Sequence, residues 1–286
     1  MAKGKRDGLL IAGGGLGGSL AALAMARTRP EVPILVVEEK EYFGGEHRLF
    51  FLDRDVDEAD KDLVRPLVAQ AWPGYYIALP GQGRKLKTGS AAIDPRDIDR
   101  AVREALRPDQ YRLGTRIVAV RDNELILQGG EKIRADGAID ARGAANLSML
   151  DLGWHKWLGR DYRFAEPHRL DRPVLIDAAD GQGPGARFVR CLPLADDRML
   201  IEEGQLSETP GVDENEAALH DLFEQQAASL WRKRDYYRGF NKALFEAAPA
   251  ARMERVERFY SLDPGVLARF HAGQATMFDR RRIARL

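Results

Sequence analysis

Leu9-Leu10-Ile11-Ala12-Gly13-Gly14-Gly15-Leu16-Gly17-Gly18-Ser19, followed after an Ala/Leu-rich run by Ile34-Leu35-Val36-Val37-Glu38, is the stretch on which the fold turns. The four apolar residues before Gly13 have the unbroken hydrophobicity of a parallel strand covered on both faces. Ser19 to Arg27 favours helix, and Pro30 and Pro33 end it. Ile34 to Val37 reads as a second buried strand, which completes a β-turn-α-β unit. Within it, Gly13-x-Gly15-x-x-Gly18 assigns a task to each glycine. Gly13 permits the tight turn, Gly15 lets the backbone approach a pyrophosphate, and Gly18 lets helix and strand pack closely. The helix N-terminus offers unpaired N–H groups to phosphates. Other α/β folds also use Gly-rich turns, but here the strand, the helix and an acid at Glu38 all accompany the glycines. A carboxylate at Glu38 accepts from both ribose hydroxyls and disfavours a 2′-phosphate, so the site suits FAD or NAD over NADP.

Working outward, the basic start Met1–Arg6 before an apolar stretch has the outline of a signal peptide, but the glycines that follow make strand and nucleotide turn the expected reading. Residues 41–89 are less regular, with helical character from Asp60 to Ala71. Asp97 to Arg107, after Pro95, has helical spacing at Ile98, Val102 and Leu106. From Thr115 the period changes to strands around Ile117, Val120, Leu125, Leu127 and Ile133, with turns at Asp122-Asn123 and Gly129-Gly130, which reads as a β-meander. Gly137-Ala138-Ile139-Asp140-Ala141-Arg142-Gly143 is a further short strand entering a loop. It reads either as an ordinary exit or as the segment that returns beneath a cofactor. Two or three more strands are expected between Val174 and Glu203, and helices over Asp213–Lys242 and Ala250–Arg285.

The 286 residues hold 44 basic and 44 acidic side chains, and this zero net charge argues against a dedicated nucleic-acid binder. The balance is uneven: residues 229–286 carry thirteen Arg/Lys against six Asp/Glu. Such asymmetry suggests a surface that meets something anionic. The single cysteine, Cys191, excludes an internal disulfide framework, suits a reducing compartment and lies in an apolar stretch as a structural thiol would. No run of about 18 apolar residues offers a membrane span. The five histidines, among them His155, His168, His220 and His271, show no metal-ligand clustering.

The motifs beyond the nucleotide turn resemble those of bacterial lycopene β-cyclases, in the same order. They are Gly44-Gly45-Glu46-His47, Trp72-Pro73-x-Tyr75, Arg84-Lys85-Leu86, Asp140-x-Arg142-Gly143, Arg187-Phe188-Val189 with Leu192-Pro193-Leu194, and Met199-Leu200-Ile201-Glu202-Glu203. The C-terminal stretches from Tyr237 to Gly273 continue the resemblance. It implies an α/β, Rossmann-type FAD-binding fold with a β-meander, a mixed-sheet substrate region and a C-terminal helical region. The expected division is 1–175 for the FAD region, 176–228 for the substrate strands and 229–286 for the helices. The implied reaction cyclises the ψ-ends of lycopene, or a related linear carotenoid, to β-rings. It moves no net electrons, and requires reduced FAD with NAD(P)H as reductant.

By the same resemblance Glu202 is the acid/base candidate, with a pKa raised by an apolar pocket. Glu203 is its acidic neighbour, and as adjacent strand residues the two face opposite sides. Without the resemblance they read equally as surface carboxylates. His47 is a candidate for positioning or proton relay, and equally a hydrogen-bonded loop histidine. The cofactor set is Gly13, Gly15, Gly18, Glu38, Gly44, Gly45, Asp140, Arg142 and Gly143, with no metal.

The chain departs from the family pattern at Arg48 and Leu49, where the family has Thr-Trp, and at Gly204 and Leu206 after the acidic pair. An internal segment that completes the flavin site is also missing before Leu230-Trp231-Arg232. Weak or absent cyclase activity is expected in consequence. Trp231 to Phe245 mixes aromatic and basic residues on a helical stretch. It suits either the inner face of an anionic bilayer or a protein core. An FAD-dependent oxidoreductase such as a monooxygenase, and a non-catalytic membrane- or carotenoid-associated relic, are the alternatives.

Overall fold

Strands β1 (Leu9–Ala12) and β2 (Ile34–Val37) lie parallel, Leu9 beside Ile34 and Ala12 beside Val37. Helix α1 (Leu16–Thr28) joins them and buries Gly18, Ser19 and Ala22, small residues that let the helix come close to the sheet. The computed structural model describes residues 7–143, 154–179, 187–207, 223–227, 240, 244 and 246–286. They form two units that alternate along the chain. Unit 1 comprises 1–49, 58–69 and 92–148; unit 2 comprises 50–57, 70–91 and 149–286.

In unit 1, β8 (Tyr111–Arg112) and β12 (Gly137–Asp140) extend the parallel sheet to the order β12-β1-β2-β8. The meander is an antiparallel sheet of β9 (Ile117–Arg121), β10 (Glu124–Leu127) and β11 (Lys132–Arg134). Leu10, Ala12, Leu35, Val37, Ile117, Leu125 and Leu127 share one buried cluster.

Helix α3 (Pro95–Ala105) starts at Asp94, whose side chain accepts from the Arg96 backbone N–H, and buries Ile98 and Val102. Asp94 also receives Arg48 at 2.6 Å and the Arg96 guanidinium at 2.7 Å. The Arg96 guanidinium foremost, then its N–H and Arg48, pull the Asp94 carboxyl down to about 2 against the opposing effect of burial. A carboxyl depressed in the folded state contributes stability above its unfolded pKa near 4, and this is lost as pH falls through the folded value. Asp94→Asn is therefore expected to cost about 2 kcal/mol at neutral pH. It should also flatten the loss of stability between about pH 4 and pH 2. Urea titrations at several pH values check both, and an unchanged acid limb would refute the assignment.

Pro66 decides the next stretch. A helix expected over Asp60–Ala71 stops after one turn, α2 (Lys61–Val64), because proline has no N–H to continue it. Val68–Trp72 is strand β4 instead. Strands β3 (Leu49–Leu52), β4 and β7 (Ser90–Ile93) pair in the order β3-β7-β4.

Unit 2 is built on a seven-stranded mixed sheet. Its strands are β5 (Tyr75–Leu79), β6 (Gln82–Leu86), β13 (Trp154–Arg163), β14 (Val174–Asp177), β15 (Arg187–Ala195), β16 (Arg198–Ser207) and β17 (Phe223–Ala227). The order is β17-β13-β16-β15-β14-β5-β6, and only β14–β5 is parallel. Residues 223–227 thus correct the helix expected across Asp213–Lys242: an edge beside β13 captures them as strand. The rest of that segment, apart from Phe240, lies outside the described residues. Beyond it come α4 (Pro249–Tyr260), α5 (Pro264–His271) and α6 (Met277–Ile283), each opened by a proline or by the Thr276 cap. Their Met253, Phe259, Leu267 and Phe270 join Tyr75, Ile77, Trp157 and Phe188 in one core.

Candidate active site

Gly13 has φ +99°, a left-handed conformation, and a Cβ there would stand 2.6 Å from the Ala141 carbonyl oxygen. The loop after β12 therefore lies directly against the nucleotide turn. Ala141 N–H donates to Ala12 at 2.7 Å. Arg142 grips Asp140 through Nε and a terminal nitrogen at 2.9 and 2.8 Å and donates to the Ile117 carbonyl at 3.3 Å. That bidentate pair holds the Asp140 carboxyl below its usual range.

Glu38 directly follows β2, with one oxygen on the Gly14 N–H at 2.5 Å and the other on the Lys40 N–H at 2.8 Å. Each oxygen keeps a further lone pair for a ribose hydroxyl. The Gly44 N–H donates to the Gly14 carbonyl at 2.8 Å, which ties the Gly44-Gly45 loop to the same turn. Gly45 stands in open space, as does Gly15, the residue that caps α1.

A cleft of about 390 Å³ opens here, lined by Gly13, Glu38, Arg142 and, from the meander, Arg116, Val118 and Gln128. The first turn of α1 carries no acidic residue, so its N–H groups stay available to a phosphate. These features fit a dinucleotide such as FAD: a helix start with no side-chain cap, a carboxylate for the ribose and a cleft beside both. The lining residues from the meander escaped the sequence reading. Only the packing of the meander against β12 would have signalled them.

His47 also belongs to unit 1 and is half-buried beside Glu46. The Glu46 carboxyl takes Lys40 at 2.7 Å and Tyr42 at 3.1 Å.

Glu202 and Glu203 belong to unit 2 and face opposite sides of β16, as adjacent strand residues must. Glu203 lies at the surface, 3.2 Å from Arg187. Glu202 is buried, and its carboxylate receives Nε of Arg190 at 2.5 Å. The sequence expectation of an apolar pocket around this carboxyl is corrected here: a guanidinium sits on it.

Strand register builds the surroundings. Glu202 stands between Gly159 on β13 and Arg190 on β15; one row along, Gly204 stands between Trp157 and Phe188. The missing side chain at Gly204 is what admits the two rings, since a Cβ there would lie 2.6 Å from the indole and 2.8 Å from the Phe188 ring. The Arg190 guanidinium lies 4.1 Å from the Trp157 ring centroid, and the His155 ring 4.2 Å from it. Burial first, then the Arg190 charge, push His155 down to about 3, so it is neutral at physiological pH. Cys191, beside this row, is half-buried, and burial pushes its thiol up to about 11, away from reactivity. Among the described residues no His/Cys/Asp/Glu group has the arrangement of a metal site.

Comparison with known proteins gives these features a family. The model of the lycopene cyclase protein family matches residues 8–223. A lycopene beta-cyclase of Pseudescherichia vulneris is 27% identical over 357 aligned positions, covering 96% of this chain and 92% of that protein. A lycopene beta-cyclase of Paracoccus sp. (strain N81106 / MBIC 01143) is 30% identical, covering 76% of this chain and 56% of that one. Among solved structures, Pseudomonas aeruginosa pqsL, described as a probable FAD-dependent monooxygenase, superposes with a TM-score of 0.54. It is 14% identical and covers 98% of this chain and 99% of that one. The p-nitrophenol 4-monooxygenase of Pseudomonas putida DLL-E4 gives 0.54 at 13% identity, covering 97% and 83%. These likenesses fix the fold alone. The 357-position alignment takes in 96% of 286 residues, so about 80 positions of the relative have no counterpart here. With most of its length matched by the family model, this chain belongs to the lycopene cyclase protein family.

Proposed function

We propose that the protein is a lycopene β-cyclase-type flavoprotein that acts on the ψ-ends of a linear carotenoid. The observation that carries this reading is a buried carboxylate, Glu202, at the position of the family's acidic motif, in a chain that also holds a dinucleotide turn. The reaction adds a proton to a terminal double bond, closes a ring through the resulting carbocation and releases a proton, with no net electrons moved. Reduced FAD, kept reduced by NAD(P)H, supplies a flavin that is not consumed. Gly13, Gly15, Gly18 and Glu38 hold its phosphates and ribose, while Gly44, Gly45 and the Asp140–Gly143 loop close around the turn. Glu202 is the counter-charge to the carbocation and the acceptor of the released proton. His47 serves in positioning at the flavin. Glu203, on the opposite face with Arg187, takes no part in that step.

A peripheral position on the inner face of the cytoplasmic membrane suits a membrane-dissolved substrate. Met277 and Phe278 on α6 are 67% and 76% exposed. They stand beside exposed Arg281, Arg282 and Arg285, while the helix's one acid, Asp279, is buried. No helix among the described residues is long and apolar enough to cross a membrane. Of the basic-aromatic stretch Trp231–Phe245, only Phe240 and Leu244 lie among the described residues. Phe240 stacks on Phe259 at 4.8 Å, within the core. The roughly 80 unmatched positions favour slow turnover over full activity.

The first test is the visible spectrum of the purified protein and its titration with FAD. Flavin bands or saturable binding are expected, with Glu38→Ala weakening binding at least about tenfold, the worth of one charge-assisted hydrogen bond. Product from lycopene under reducing conditions should form without matching NAD(P)H consumption. Consumption in step with product would make the protein a monooxygenase. A folded protein that binds no flavin would leave the relic reading.

A further inference from the structure

The middle of β15 holds a buried charge whose surroundings ask for a reason. Trp157, Phe188, Arg190 and Glu202 are each no more than 6% exposed. Taking a guanidinium and a carboxylate out of water is costly, and a hydrophobic pair of similar volume would serve stability as well or better. Hydrogen bonding does not account for the arginine either. Its Nε reaches Glu202, but one terminal nitrogen has no acceptor among the described residues. What surrounds the guanidinium is what attracts positive charge as such. The indole of Trp157 lies at 4.1 Å and the ring of Phe50 at 5.9 Å, both within cation–π range, and the Glu202 carboxylate lies at 2.5 Å. Phe188 shares the face of β15 with Arg190 and meets the indole edge-on at 5.0 Å. The neighbouring His155 carries no competing charge.

We infer that Glu202, Trp157, Phe50 and Phe188 form a binding box for an organic cation, and that the chain's own Arg190 guanidinium occupies it. Removing the Arg190 side chain opens the box to a free guanidinium ion. The inference builds on the proposed role of Glu202 beside a carbocation: a carboxylate and aromatic faces would stabilise a tertiary carbon that has lost its electron pair to a proton. Arg190 stands where that carbon would have to come, and so acts as a plug within the site.

The test uses the full-length protein and needs neither flavin nor carotenoid. Arg190→Ala is titrated with guanidinium chloride in the low-millimolar range, far below denaturing concentrations, with urea and sodium chloride as neutral and ionic controls. Tryptophan fluorescence and the thermal midpoint are the readouts. Saturable quenching and a rising midpoint are expected with guanidinium. Affinity should exceed that for urea by at least about tenfold, in keeping with a desolvated cation–π contact. Wild type, with its box filled, should not respond. Arg190→Ala/Trp157→Phe should lose the fluorescence response, and Arg190→Ala/Glu202→Gln both signals.

If Arg190→Ala is unfolded alone, mass action requires guanidinium to restore its structure. A chain that stays unfolded while Arg190→Ala/Glu202→Gln folds would overturn the inference, as would equal responses to urea and guanidinium. Because no carotenoid is involved, a flat titration in an active cyclase refutes the plug alone. A clear titration in an inactive protein leaves the plug standing and refutes the turnover reading.

Discussion

Gly18→Val is expected to destabilise the protein by at least about 3 kcal/mol, the upper range for forcing volume into a packed interior, and to abolish flavin binding. A Cβ built on Gly18 would stand 1.8 Å from the Gly13 carbonyl oxygen and 2.9 Å from its carbon. Backbone cannot swing aside as a long side chain can. The helix would have to lift from the turn. Lifting it breaks the 2.7 Å bond from the Ser19 hydroxyl to the Gly14 carbonyl and displaces the N–H groups offered to the pyrophosphate. Gly17 is the internal control. It lies in the same helix turn, exposed, and a Cβ there would meet nothing within 4 Å. Gly17→Ala should therefore be neutral, or stabilising by roughly 0.5–1 kcal/mol, from helix propensity alone. Urea unfolding of the two variants, with FAD titration of the first, separates packing from propensity. Equal stabilities would mean that α1 does not sit on Gly13 as described.

That turn was legible because each constraint on it is local. A buried parallel strand needs an apolar run, the crossing needs glycine, and the acid follows at a fixed distance, so a single strand-helix-strand segment carries the whole pattern. The meander and α3 were legible for similar reasons: alternation with turn residues in one case, Asp94-Pro95 in the other. Strand β13 was not, because Trp154, Lys156, Leu158 and Arg160 on one face and His155, Trp157 and Gly159 on the other mix apolar and polar residues on both sides. Neither face gives the alternation that marks a half-buried strand. The interleaving of the units was equally hidden. Strand β5 pairs with β14 about a hundred residues later, and no local signal announces a pairing of that separation.

The pairing of Arg190 with Glu202 shows most sharply where sequence reading ends. Asp196 and Asp197 make a tight turn that places Ala195 opposite Arg198. Counting back from that turn in regular register sets Arg190 opposite Glu203, the exposed glutamate. The register shifts between Pro193 and Ala195, however, and from there Pro193 faces Met199 and Arg190 faces Glu202. Proline has no N–H for the ladder, so a bulge is the natural accommodation at that point. One residue of slip exchanges which glutamate is buried with the arginine. The resemblance alone named Glu202. Its partner, its burial and the glycine that admits Trp157 required the strands side by side.

Arg190→Met should cost about 3–5 kcal/mol, the range for breaking a buried ion pair from one side. The Glu202 carboxylate would remain in an interior that offers it no counter-charge, and methionine fills space without supplying one. Glu202→Leu should be costly in the mirror sense, by stranding the guanidinium beneath Trp157. The double variant Arg190→Met/Glu202→Leu removes both charges and keeps much of the volume. Its stability should therefore lie within about 1 kcal/mol of wild type, or above it, since well-packed apolar replacements of buried pairs are often neutral or stabilising. The sum of the single costs would then exceed the cost of the double change by several kcal/mol, a coupling far beyond the few tenths seen between independent sites. Urea unfolding at neutral pH measures all four corners of the cycle. Singles that each cost less than about 1 kcal/mol would match an exposed pair, and would mean that water reaches Glu202. If the double variant is as stable as wild type, the ion pair is not there to hold the sheet together. Its retention then has to be explained by what the carboxylate and the rings do with a positive charge.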